Sequence, residues 1–317
     1  MARFASTTKH RALLPTDFCH LLHRKPQWQR HPTKTRTTTL RLRCVFFWNR
    51  RCFFVSLHNS LQANKSLNMA TKHHILEVCA SDIDSAAAAQ AGGAERIELC
   101  SALSEGGITP SFGLAVHAMR LGMRVHALIR PRGGDFLYNE AEVDTMVADI
   151  EALRGLGVHG VVIGALTAEG DIDMPACRRM AEAAKGMSIT FHRAFDRCRC
   201  PHEALEQIIE LGCNRLLTSG QAPTALQGAE LIASLVRQAA GRIVVMPGCG
   251  VTAHNAAQIL KLTGADEIHA SASGNVASKM KFARSTVYMG AKDANEDVRK
   301  VTDAQAVRAI LAAINAE

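Results

Sequence analysis

From His74 onward, short apolar runs alternate with segments whose apolar positions recur every three to four residues. That is the rhythm of strands and helices taking turns along a parallel sheet. The runs at Ile75–Cys79, Arg96–Cys100, Arg124–Ile129, Gly160–Gly164, Met187–His192, Arg215–Thr218, Ile243–Met246 and Glu267–Ala270 predict eight strands. Helical patterning covers Asp82–Ala91, a segment starting near Pro110-Ser111, then Glu140–Leu156, Met174–Lys185, Pro201–Leu211, Thr224–Ala239 and Ala253–Thr263. Small residues close three of these helices, at Gly92-Gly93-Ala94, Gly212-Cys213 and Gly264-Ala265. Eight such units in about 210 residues have the count and size of a (β/α)8 TIM barrel, an α/β fold with parallel strands. A doubly wound open sheet is the alternative, but it wants a Gly-rich first turn that Cys79–Asp82 lacks. Thr302–Ile314 reads as an extra amphipathic C-terminal helix, packed on the barrel or on a partner.

Charge divides the chain into two parts. Residues 1–68 hold 13 of the 37 lysines and arginines but only Asp17 of the 29 acids, so residues 69–317 carry 24 bases against 28 acids. The overall +8 therefore describes the basic extension, and the mildly acidic barrel domain gives no case for nucleic-acid binding. An Arg-, Thr- and His-rich, acid-poor segment reads as a transit peptide or disordered extension, or as an upstream stretch preceding a start at Met69. Its apolar patches, Cys44–Trp48 and Cys52–Leu57, are cut by Asn49-Arg50-Arg51 and are too short to span a bilayer. The expected location is cytoplasmic, or chloroplast or mitochondrial if residues 1–68 direct import. Without a signal peptide, no disulfide framework is expected and the ten cysteines should be mostly reduced.

Chemistry concentrates where strands end. Met187–Asp196 runs from an apolar stretch straight into His192, Arg193 and Asp196, and Val125–Ile129 leads into Arg130-Pro131-Arg132-Gly133-Gly134-Asp135. In α/β barrels the carboxyl ends of the strands carry the functional groups. Period-two alternation puts Glu77 with Cys79, and Glu98 with Cys100, on the face opposite Leu76, Val78, Ile97 and Leu99. The helix-facing layer must be apolar, so the Glu-x-Cys faces point into the barrel. Adjacent strands lie about 4.8 Å apart, which predicts that Cys79 and Cys100 meet near the rim with Glu77 and Glu98 one layer below. Arg130, His192, Arg193 and His269 are the cations available to those glutamates. The arrangement reads either as one satisfied ion network or as a charged, concave site.

Two soft thiolates suit Cu(I), which accepts low coordination; a structural zinc would want four ligands, and a buried cysteine without a partner is a small hydrophobe. Cys198-x-Cys200 is a lesser metal candidate, with loop thiols as the plain alternative. Turns containing Ser219-Gly220, Gly248 and Gly250, and Ser271 follow the last three strands and suggest an anion site built from backbone N–H groups. His117, His126, His159 and His254 carry no expected chemistry. GxSxG, HExxH and Walker patterns are absent, so serine hydrolase, zincin and P-loop readings lack support.

The segments LEVCASDIDSA, ERIELCSALSEGGITPS, ALIRPRGGDFLY, DMPACRRM, ITFHRAFD, RLLTSGQ, ALQG and EIHASAS resemble the CutC family of copper homeostasis proteins throughout residues 75–273. The resemblance implies a TIM barrel, homo-oligomers, and a role in copper tolerance or trafficking. It further implies Cu(I) binding by Cys79 and Cys100, in a pocket with Glu77, Glu98, Arg130, His192, Arg193, Asp196 and His269. The alternative is an enzyme acting on a small phosphate- or carboxylate-bearing substrate, with Arg130 and Arg193 clamping the anion and Glu77, Glu98 or His192 transferring protons. Expected partners are thus a copper ion and a small anionic ligand, with neither nucleic acid nor membrane.

Overall fold

A computed structural model describes residues 73–282 and 297–316; the basic extension, with its expected targeting role, lies outside them. Each of seven parallel strands is followed by a helix. In chain order these are β1 (Ile75–Ala80), α1 (Ile83–Gly92), β2 (Arg96–Leu99), α2 (Phe112–Met119), β3 (Arg124–Leu128), α3 (Glu140–Leu156), β4 (Gly160–Ile163) and α4 (Met174–Ala183). There follow β5 (Ser188–Phe191), α5 (Pro201–Glu210), β6 (Arg215–Thr218), α6 (Ala229–Ala239), β7 (Val244–Pro247), α7 (Ala256–Thr263) and β8 (Glu267–Ala270). An antiparallel pair, β9 (Ser273–Ala277) and β10 (Val298–Thr302), then leads to α8 (Ala304–Ile314).

The strands pair in the order β7-β6-β5-β4-β3-β2-β1-β8, and a bridge between Gly248 and His269 joins the two ends into a barrel. Leu76, Val78, Ile97, Leu99, Val125, Ile163, Leu216 and Ile268 fill the layer between strands and helices, all with no exposure. Local sequence places the helix starts. The Asp82 carboxylate accepts the Ser85 N–H at 2.7 Å, Ser111 caps α2, and Asn139 with Glu142 forms a reciprocal capping box on α3. Gly93 and Gly264, two of the expected stops, take left-handed φ of 94° and 72° at the ends of α1 and α7.

Three features differ from the sequence expectation. The helix expected from Thr224 begins at Ala229, because Thr224 closes a turn through Gln227, and Gly220 and Gly228 pack backbone against backbone before it. The helix expected from Ala253 begins at Ala256, since the Asn255 side chain turns back to Thr252 N–H and Gly250 C=O. The β9–β10 pair carries Ser, Gly, Asn, Arg and Lys on largely exposed strands, so no apolar alternation announces it. Beyond it, α8 packs against both α1 and α7, the eighth place in the helical ring, burying Val307, Ile310 and Ile314.

Candidate functional site

The barrel floor is an ion network. Arg96 is fully buried and donates through Nε to Glu77 and through Nη2 to Glu267; Arg215 Nε donates to the same Glu267 oxygen at 2.7 Å. His269 Nδ1 meets the second Glu77 oxygen at 2.9 Å. Burial alone would push the Glu77 carboxyl up, but Arg96 and His269 beside it hold it well below the usual carboxylate range. His126, set aside in the sequence, lies inside the barrel 3.9 Å from Glu77.

Above this floor, Cys79 and Cys100 bring their sulfurs to 3.6 Å, with Leu128 and Val162 as apolar neighbours. The register corrects the expected layering: Cys79 stands opposite Glu98, and Glu77 opposite Arg96. Barrel closure staggers neighbouring strands, so Glu98 rises level with Cys79 rather than one layer below. Cys79, Glu98 and His269 each offer a ligand atom within 4.8 Å of the others. The Cys79 thiol is pushed well up by its hydrogen bond to Cys100, by burial and by the Glu98 charge. Burial also raises Glu98. On His269, burial opposes charge, yet Glu98, Cys79 and Glu77 outweigh it and raise the imidazole well above its usual range.

At the rim, Arg130 Nη1 donates to the carbonyls of Glu105 (2.7 Å) and Gly107 (2.8 Å), and Nη2 to that of Gly134 (2.8 Å). Its guanidinium lies 5.1 Å from the Phe136 ring centre. His192 accepts the Ala194 N–H on Nδ1 at 3.1 Å, which leaves the neutral ring's proton on Nε2. Burial, then the Arg130 charge, lowers His192 to about 3. The ring fits because the residue after β4 is Gly164, where a Cβ would stand 2.6 Å from it. Arg193 is tied to Asp196 (2.7 Å) and to the Ser219 hydroxyl (3.0 Å). Asp196 in turn accepts from Thr218 Oγ1 and from the Ser219 N–H and hydroxyl.

A cavity of about 680 Å³ opens over these groups, with Cys79, Glu98, His269, Arg130, His192, Arg193 and Asp196 in its wall. Of the residues expected to cradle an anion, Gly250 and Ser271 line it. The other three amides are engaged: Ser219 N–H by Asp196, Gly220 N–H by Thr218 Oγ1 and Gly248 N–H by Thr218 C=O. Cys198 is buried under the Gln221 amide. Sequence reasoning passed over Arg96, Glu267 and Phe136. Alternation carried the first two, since Arg96 shares a face with Glu98 and Glu267 with His269; nothing in the sequence pointed to the ring of Phe136.

The model of the CutC family matches residues 74–274. A CutC family protein of Chromobacterium violaceum is 52% identical over 242 residues, covering 76% of this chain and 98% of the relative. One of Parabacteroides distasonis is 52% identical over 240 residues, covering 75% and 99%. The crystal structure of CutC from Streptococcus agalactiae, which carries a provisional copper-homeostasis description, superposes with a TM-score of 0.60 at 33% identity, covering 62% of this chain and 98% of that one.

Proposed function

The chain belongs to the CutC family, and from that premise we propose that it is a copper homeostasis protein binding Cu(I) at the mouth of its barrel. The carrying observation is the pair of sulfurs, Cys79 and Cys100, 3.6 Å apart on neighbouring strands. That separation is shorter than two metal–thiolate bonds of about 2.3 Å laid end to end, so an ion shared by both sulfurs is held bent, with one side open. Glu98 and His269 lie on the Cys79 side of the pair. Glu77 on His269 Nδ1 fixes the ring and aims Nε2 into the site, as carboxylates behind metal-bound histidines do. The thiol protons of Cys79 and Cys100 leave to solvent as the ion enters, and His269 would give up its Nε2 proton to join them.

Anaerobic Cu(I) titration of the full chain against a competing chelator tests this. We expect stoichiometric binding that disappears in Cys79→Ser/Cys100→Ser; unchanged binding in that variant would overturn the reading. The proposal extends to association of identical copies, read by light scattering. It also includes import directed by residues 1–68, read with a fluorescent fusion of that segment; a diffuse cytosolic signal returns the protein to the cytoplasm.

A second reading, an enzyme turning over a small phosphate- or carboxylate-bearing substrate, draws support from the cation Arg130 in the same wall. Screening such metabolites for consumption by the purified protein tests it, and conversion that survives Arg130→Gln would remove Arg130 from the reaction.

A further inference from the structure

Among the described residues, two buried donors in the cavity wall have no acceptor. Arg130 is 5% exposed; three of its four Nη hydrogens go to backbone carbonyls, while Nε finds no partner among the described residues. Those carbonyls are neutral, and among the described residues no carboxylate pairs with the guanidinium, so its charge stands uncompensated. His192 is also 5% exposed, and its Nε2, which bears the proton, has no partner either. Phe136 packs against both groups, 5.1 Å from the imidazole and 5.1 Å from the guanidinium. Elsewhere in the wall, the N–H groups of Gly250 and Val251 meet no acceptor among the described residues.

An unmade buried hydrogen bond costs stability, and an unpaired buried charge costs more. Water would satisfy the donors but not the charge. We propose that the barrel mouth binds a small oxyanion, the phosphate or carboxylate group of a small metabolite, with Arg130 Nε and His192 Nε2 as its direct donors. This site differs from the one expected at the turns, where three of the amides are already bonded. It adjoins the thiols, because the Gly107 carbonyl that Arg130 holds belongs to a residue whose Cβ would lie 3.7 Å from Cys100 Sγ. A ligand anchored at Arg130 therefore extends toward Cys79, Glu98 and His269, which line the same cavity. The inference supplies a recognition element for the enzymatic reading and requires neither turnover nor copper.

Calorimetric titration of the full chain with inorganic phosphate and, separately, with acetate tests it, in buffer free of other oxyanions and with chloride as control. We expect saturable binding of at least one, weakened about tenfold or more in His192→Phe, the cost of one lost charge-assisted bond. The same loss is expected in Arg130→Gln; if that variant does not fold, His192→Phe alone decides. Preference for phosphate or for acetate identifies the group. Binding should persist in Cys79→Ser/Cys100→Ser, and Cu(I) binding should persist in His192→Phe, so the two sites fail independently. No saturable binding of either oxyanion, or equal binding in parent and His192→Phe, would overturn the proposal.

Discussion

His192 is held neutral inside the protein, and that has a consequence for acid stability. Burial and Arg130 lower it from the ordinary 6.5 to about 3, while in the unfolded chain it titrates near 6.5. Below that value the unfolded state binds a proton that the native state refuses. The stabilisation is therefore complete above pH 6.5 and drains away as pH falls toward 3, at about 1.4 kcal/mol per pH unit for one such proton. His126, lowered to about 4 by burial, acts in the same direction. Urea midpoints measured from pH 6.5 down to 4 should fall more gently in His192→Phe than in the parent; identical slopes would show that the native ring takes up a proton. The place of His192 at the barrel mouth was legible in the sequence, since a strand running into His-Arg-Ala-Phe-Asp puts it at a carboxyl end. Its tautomer was not, because that depends on the Ala194 N–H folding back onto Nδ1.

At the scale of strands, alternation disclosed which faces point inward but not which residues stand side by side. Glu77 and Glu98 do face the interior, yet the cation that compensates Glu77 most strongly is Arg96, at the first position of β2. Register comes from barrel closure, a property of all eight strands together, so no pair of strands carries it in sequence. Arg96 holds two carboxylates at once, Glu77 and Glu267. Replacing it leaves both buried without their shared cation, and removal of one member of a buried ion pair costs about 3–5 kcal/mol. Arg96→Met should lose stability of that order in urea unfolding. Adding Glu77→Gln and Glu267→Gln should restore part of it, because the negative charge that Arg215 and His269 alone must then balance goes with the carboxylates; a triple variant no better than the single one would mean that packing, not charge, sets the cost.

At the scale of the whole barrel, the ring of helices is completed by α8. The β1–β8 seam carries Glu77 and Cys79 on one strand and His269 on the other, and α8 packs between α1 and α7 behind it. An amphipathic stripe in Thr302–Ile314 says that one face must be covered, but only the closed ring says by what; Gly92 of α1 lies so close that a Cβ there would stand 2.5 Å from Val307. Ile310 is 2% exposed in that contact, and truncating a buried isoleucine to alanine costs about 2–5 kcal/mol. Far-UV circular dichroism of Ile310→Ala should give one cooperative transition at lower temperature, since a barrel with a loosened ring has no independent half to leave standing. Below that transition the variant should bind Cu(I) as the parent does, because Ile310 touches the seam's support and not its ligands. A separate early transition that spares Cu(I) binding would instead make α8 an appendage, and the barrel would be stable without its eighth helix.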